Sequence, residues 1–109
     1  MNRTFLMTPG FERLWASMGL GDDELRELEE LLRSNPEAGT VIPGLSGARK
    51  VRIQLPNRGK SGGARVIYVD LVIQNEIYLL LAYPKNVQTD MTAEQKKFIR
   101  KLIETLKED

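Results

Sequence analysis

The chain has 109 residues, 41% of them hydrophobic and 28% charged, enough for one domain with one modest core and too few for two ordinary domains. Histidine and cysteine are absent, which excludes disulfides, zinc sites built on those residues, a cysteine nucleophile and imidazole as a catalytic base. The net charge is only +1, but residues 1–40 carry 4 basic and 8 acidic side chains, residues 41–68 carry 6 basic and none acidic, and residues 69–109 carry 6 basic and 7 acidic.

Arg3 to Met7 reads as a short first strand. The apolar run after Arg3 is too short for a signal-peptide core, and no stretch approaches the roughly 18 apolar residues of a membrane span. The expectation is a cytoplasmic protein, with no membrane partner, folded as a single domain over residues 1–109. Thr8-Pro9 offers an N-cap followed by proline at the first helical position. Phe11, Leu14, Trp15 and Met18 then recur at helical spacing, and Gly19 or Gly21 ends the helix. Their stripe assigns Trp15 to the core. A second helix starts at Asp22, read as its cap, with Leu25, Leu28, Leu31 and Leu32 as its apolar stripe, and Asn35-Pro36 breaks it. Its acidic side is either a solvated face over a leucine core or a surface for a basic partner.

Residues 39 to 48 hold Gly39, Pro43, Gly44 and Gly47 and read as a loop. From Arg49 to Leu55 the chain alternates, with Val51, Ile53 and Leu55 on one side and Lys50, Arg52 and Gln54 on the other, the pattern of a half-buried strand with a cationic face. Pro56 to Gly63 is a Gly-rich basic turn. Ala64 to Ile73 and Glu76 to Tyr83 are nearly continuous apolar strands, expected at the sheet centre with both faces covered, and joined through Gln74-Asn75. Thr92-Ala93-Glu94-Gln95 is a capping-box pattern. Phe98, Ile99, Leu102, Ile103 and Leu106 follow as the apolar face of a last helix. The order β-α-α-β-β-β-α defines an α+β fold, a small antiparallel sheet packed with helices.

The chemistry concentrates in the middle block. Gly59-Lys60-Ser61 resembles the end of a phosphate-binding P-loop, but Gln54 stands where the motif needs glycine and the loop leads into a strand instead of a helix, so nucleotide hydrolysis is rejected. What remains is a bare backbone flanked by Arg49, Lys50, Arg52, Arg58, Lys60 and Arg65. This is either a phosphate-binding surface or a solubilising charged edge, and six cations without one acid favour phosphate. Lys50 and Arg52 share a face, and Arg65 joins them if it points the same way on the next strand. Tyr83-Pro84-Lys85-Asn86 follows the last strand. Tyr83 reads equally as a base-stacking ring or as a core tyrosine with a wet hydroxyl. Tyr68 and Tyr78, inside apolar strands, read as core. No carboxylate lies between Glu37 and Asp70, so the basic block has no local metal ligand, and neither a metal nor a cofactor is expected.

The run Gly59-Lys60-Ser61-Gly62-Gly63-Ala64-Arg65-Val66-Ile67-Tyr68, with Tyr78-Leu79-Leu80-Leu81-Ala82-Tyr83-Pro84-Lys85-Asn86, resembles the HigB branch of the RelE/ParE toxin superfamily. Leu20 to Leu32, Asn35-Pro36-Glu37-Ala38-Gly39 through Ile42-Pro43-Gly44, and Asp90-Met91-Thr92-Ala93-Glu94-Gln95-Lys96-Lys97 extend the likeness to about residues 10 to 105. The resemblance implies a RelE-like fold and a bacterial type II toxin, a ribosome-dependent mRNA endoribonuclease (mRNA interferase) that works without metal. It implies a cognate helix-turn-helix antitoxin as partner, mRNA on the ribosome as substrate, and operator DNA contacted only through the antitoxin complex.

RNA cleavage by the neighbouring 2′-hydroxyl needs a base, cations around the crowded phosphate, and an acid for the leaving oxygen. Lysine crowded by other cations supplies proton transfer, and arginine grips phosphate bidentately. By resemblance Arg65 holds the scissile phosphate, and Lys60 and Lys85 transfer protons or stabilise charge. Arg52 and Arg58 hold flanking phosphates, Lys50 joins them in binding RNA, and Tyr83 and Asn86 touch the base. The assignment of general acid and base stays open, because some family members use a histidine missing here and Gln54 replaces an expected strand cation. A non-catalytic RNA- or protein-binding module and a gyrase-inhibiting ParE-like toxin are the competing functions. The antitoxin either occludes the cationic patch or docks on the outer face of residues 22–34 or the last helix.

Overall fold

The computed structural model describes residues 3–55 and 63–108. Strand β1 (Thr4–Met7) ends at Thr8, whose hydroxyl accepts from the Phe11 amide and donates to the Leu80 carbonyl, so one side chain caps helix α1 (Pro9–Ser17) and ties it to the sheet. Proline at the first helical position matches the expectation. Phe11 and Trp15, one turn apart, stack with ring centroids 5.3 Å apart. Trp15 is buried as expected and donates its indole N–H to the Gly21 carbonyl at 3.1 Å.

Helix α2 (Asp22–Ser34) corrects one detail. Its N-cap is Gly21, and Asp22 is the first helical residue. The cap is made from inside the helix, where the Glu24 carboxylate accepts from the Gly21 amide at 2.7 Å. Asp22, Asp23 and Glu24 favour the positive end of the helix dipole. Leu28 and Leu32 are buried, while Leu31 lies at the rim, 42% exposed. Asn35 closes the helix ahead of Pro36.

The loop expected over residues 39–48 contains a two-residue strand, β2 (Thr40–Val41), which pairs antiparallel with β3 (Arg49–Ile53). Gly39 makes this approach possible. A Cβ there would lie 2.9 Å from both the Lys50 carbonyl oxygen and the Tyr68 ring. The Gly39 amide donates to the Tyr68 hydroxyl, which donates to the Pro36 carbonyl at 2.8 Å. Gly39→Ala is therefore expected to destabilise by about 1–3 kcal/mol, read as a lower urea midpoint, because backbone and a packed ring must both move. A midpoint equal to wild type would contradict this close approach.

Strands β4 (Ala64–Leu71) and β5 (Glu76–Pro84) are central, as their apolar runs imply. The sheet order is β1-β5-β4-β3-β2. All pairings are antiparallel except β1 with β5, which is parallel, so the sheet is mixed. Strand β4 stops at Leu71, short of the expected Ile73, because the turn over residues 72–75 uses Asn75 at φ 61°, a left-handed conformation asparagine tolerates. Helix α3 (Ala93–Lys107) begins with the expected capping box, Thr92 and Gln95 each satisfying the other's backbone amide.

Two cores flank the sheet. Phe11, Trp15, Leu28 and Leu32 pack with Val51, Val66, Tyr68, Leu79 and Ala82 on one face. Ile99 and Ile103 of α3 pack with Ile67, Val69, Leu80 and Tyr83 on the other. The two faces stay in phase through a β-bulge. Ile67 lies opposite Leu81 but Tyr68 lies opposite Leu79, so Leu80 is an extra residue in β5. The architecture is the α+β order expected from the sequence, with β2 added and β1 joining in parallel.

Candidate functional site

The register settles which cations share a face. Arg52 on β3 lies opposite Arg65 on β4, and Arg65 lies opposite Tyr83 on β5, so the three form one row across the sheet. Lys50 is two residues from Arg52 and opposite Ile67, on the same side. This is the face that α3 partly covers, since Ile67 and Tyr83 belong to its core.

Arg49 points the other way. Its guanidinium donates to the Gly39 carbonyl at 2.8 Å and lies 3.8 Å from the Glu37 carboxylate, so it braces the 37–39 segment and leaves the patch. Arg58 and Lys60, with the rest of the Gly-rich turn over residues 56–62, lie outside the described residues. Lys85 and Asn86 are exposed in the turn after β5, and the Lys85 amide donates to the Gly63 carbonyl at 2.9 Å. Both therefore sit at the same sheet end as the Ala64–Pro84 pair, one row beyond Arg65 and Tyr83.

The row holds two uncompensated groups. Arg65 Nη1 and the Tyr83 hydroxyl are buried, and neither has a hydrogen-bond partner among the described residues. Each such group costs about 1–3 kcal/mol of desolvation, so two on neighbouring strands are notable. Tyr83 is only 2% exposed, which resolves its two readings on one point: the ring belongs to the core and offers no stacking face. Burial, and next the charge of Asp90, push its hydroxyl above the usual tyrosine range, while Arg65 pulls it back. At neutral pH it is a protonated donor aimed into the same region as Arg65.

Tyr83→Phe makes this testable in two directions. Removing an unpaired buried hydroxyl is expected to raise stability by up to about 1 kcal/mol in a denaturant melt. It is expected to weaken anion binding at the row, in a titration with a short uncleavable oligoribonucleotide. A variant that loses stability would show that the hydroxyl has a partner in the folded protein.

One contributor escaped the sequence reading. Asp90 lies in the field of the patch, and its carboxyl is held below the usual range chiefly by the Met91 amide it accepts from at 2.8 Å, then by Lys96 at 3.3 Å and the charge of Lys50. The basic block lacks a carboxylate in sequence but not in space. The usable signal was its place two residues before the capping box, where α3 folds back onto the sheet. Among the described residues no three carboxylates gather into a cluster able to hold a metal. No helix among them is long and apolar enough to cross a membrane.

A small helix-flanked sheet thus carries Lys50, Arg52 and Arg65 together on one face. The family described as "RelE toxin of RelE / RelB toxin-antitoxin system" matches residues 4–108, and the chain belongs to that family. The fold agrees. Free E. coli toxin RelE, in a mutant with two arginines replaced by alanine, superposes with a TM-score of 0.60 at 16% identity, covering 94% of this chain and 99% of that one. The same toxin mutant in complex with an antitoxin RelBc peptide gives a TM-score of 0.52 at 17% identity, covering 90% and 94%.

Proposed function

We propose that this toxin, of the HigB branch, is a ribosome-dependent mRNA endoribonuclease of a bacterial type II toxin–antitoxin system, working in the cytoplasm. The observation that supports it most is the Arg52–Arg65–Tyr83 row, with a guanidinium nitrogen and a phenol both buried and without a partner among the described residues. A phosphodiester supplies the acceptors those donors lack.

In the reaction, the 2′-oxygen attacks the adjacent phosphorus and the bond to the 5′-oxygen breaks. The 2′-proton passes to a base, and the leaving oxygen takes a proton from an acid. The products are a 2′,3′-cyclic phosphate and a 5′-hydroxyl. Arg65 neutralises the charge that grows on the non-bridging oxygens, where preorganised donors act most strongly. Arg52 and Lys50 hold flanking phosphates, with Arg58 completing that set. Tyr83 donates its hydroxyl to a phosphate or sugar oxygen, and Asn86 reaches the base. Lys85 and Lys60 are the candidates for proton transfer. The set needs no histidine, and its chemistry runs without a metal.

A helix-turn-helix antitoxin holds the toxin silent, and the pair contacts operator DNA through the antitoxin. The antitoxin peptide complex of the E. coli relative supports a segment that binds the toxin directly.

The test is purified toxin added to translating ribosomes, with transcript 5′ ends mapped. New ends within codons, suppressed by the protein of the adjacent gene, are expected. Intact mRNA despite tight, salt-sensitive RNA binding would identify a binding module instead. A DNA-damage response in cells without mRNA cleavage would identify a gyrase inhibitor.

A further inference from the structure

Helix α3 departs from its own apolar pattern at one point on the functional face. Phe98 belongs by spacing with Ile99, Leu102, Ile103 and Leu106, yet it is 58% exposed while Ile99 and Ile103 are buried. It borders a cavity of about 190 Å³ between α3 and β5, lined by Leu81, Glu94, Gln95, Phe98 and Ile99. A cavity of about 150 Å³ is enough to take a benzene ring, so this one accommodates a single flat ring system.

Its position ties it to the cationic row. Leu81 precedes Tyr83 by two residues on β5 and faces the same way, since Ile67–Leu81 and Arg65–Tyr83 are successive same-face pairs. The slot therefore opens about 7 Å from the Tyr83 position, one pleat along the strand. On the helix surface Phe98 lies one turn from the exposed Lys101, which is not ion-paired among the described residues, and one turn from Glu94. An apolar pocket with an exposed aromatic, beside a cationic row, is the arrangement that holds an unpaired base.

We propose that the Leu81–Phe98 slot is a nucleobase subsite, in which a base adjoining the phosphate bound by Arg65 stacks on Phe98. This rests on the RNA-binding reading of the row. Stacking on an aromatic face is tolerant of base identity, so the subsite positions the strand and sets where the phosphate falls.

The experiment uses a 2′-O-methyl hexaribonucleotide, which cannot be cleaved, and a set of the same hexamers with one abasic residue at each position. For wild type, one abasic position is expected to weaken binding about tenfold. Phe98→Ala is expected to weaken the intact hexamer by a similar factor and to lose sensitivity at that position. Phe98→Tyr should restore both, and Phe98→Leu, which keeps bulk but not the π face, should restore neither. Phe98 is exposed, so the variants are expected to fold, and melts confirm it. Salt-dependent binding that ignores Phe98, or abasic effects identical in wild type and Phe98→Ala, overturns the subsite and leaves the cationic row standing. No salt-dependent binding by wild type overturns both readings. Weakened capture of the adjacent-gene protein with unchanged hexamer binding assigns the slot to the antitoxin and overturns the proposal.

Discussion

Arg65→Ala is expected to lower the rate of mRNA cleavage on ribosomes by about 10²–10³-fold, the usual effect of removing one preorganised donor from a developing phosphate charge. The same variant should melt at the wild-type temperature or slightly above it, because Nη1 is buried without a partner among the described residues. Loss of activity without loss of stability separates a functional arginine from a structural one. Arg65→Lys should rescue poorly, since an ammonium is a point charge and does not reproduce the planar fork. Arg52→Ala, at the exposed end of the row, should act mainly on binding and reduce the salt slope by about one. Cleavage by Arg65→Ala at the wild-type rate would remove the row from the chemistry.

Arg3→Ala is expected to cost about 3–5 kcal/mol, the penalty of leaving a buried ion-pair partner uncompensated. The Arg3 side chain is 4% exposed and that of Asp70 14% exposed, and their contact is bidentate at 2.8 and 3.2 Å. A third bond, at 3.0 Å, runs to the Asn75 side chain in the turn that follows β4. In a domain whose total stability is about 5–15 kcal/mol, the loss would lower Tm by on the order of 15 °C. The replacement of both partners by apolar residues, Arg3→Met with Asp70→Leu, should recover much of it. A scanning calorimetry trace of Arg3→Ala within a few degrees of wild type would show that the pair is dispensable. Arg3 thus fastens the start of β1 to the far end of β4 and β5, beside its parallel pairing with β5.

The elements legible in the sequence are those that carry their own local signal. Thr8-Pro9, Thr92 with Gln95, the alternation through Val51 and Ile53, and the apolar runs of β4 and β5 each specify structure within a few residues. What was not legible depends on partners distant in sequence. Two residues in a glycine-rich loop carry no period, so β2 appears only when Gly39 lets it reach Lys50. The parallel docking of β1 is braced by the Arg3–Asp70 pair, 67 residues apart. The candidate site divides in the same way. Alternation placed Lys50 with Arg52, and register added Arg65. The contribution of Asp90 and the bracing role of Arg49 required the fold, because a charge inventory along the chain says nothing about which face each charge occupies.

The additional residue at Leu80 acts as a frame shift in three dimensions. Everything in β5 before it is read in one phase against β4, and everything after it in the other. If β5 ran as a regular strand with every residue kept and no bulge at Leu80, Tyr83 and Leu81 would turn toward α1 and α2, and Ala82 would face α3. The row and the slot beside it would dissolve with no change to any residue that forms them. The bulge in β5 is therefore as much a determinant of the site as the identity of Arg65, and homologous chains are best aligned on it before their site residues are matched.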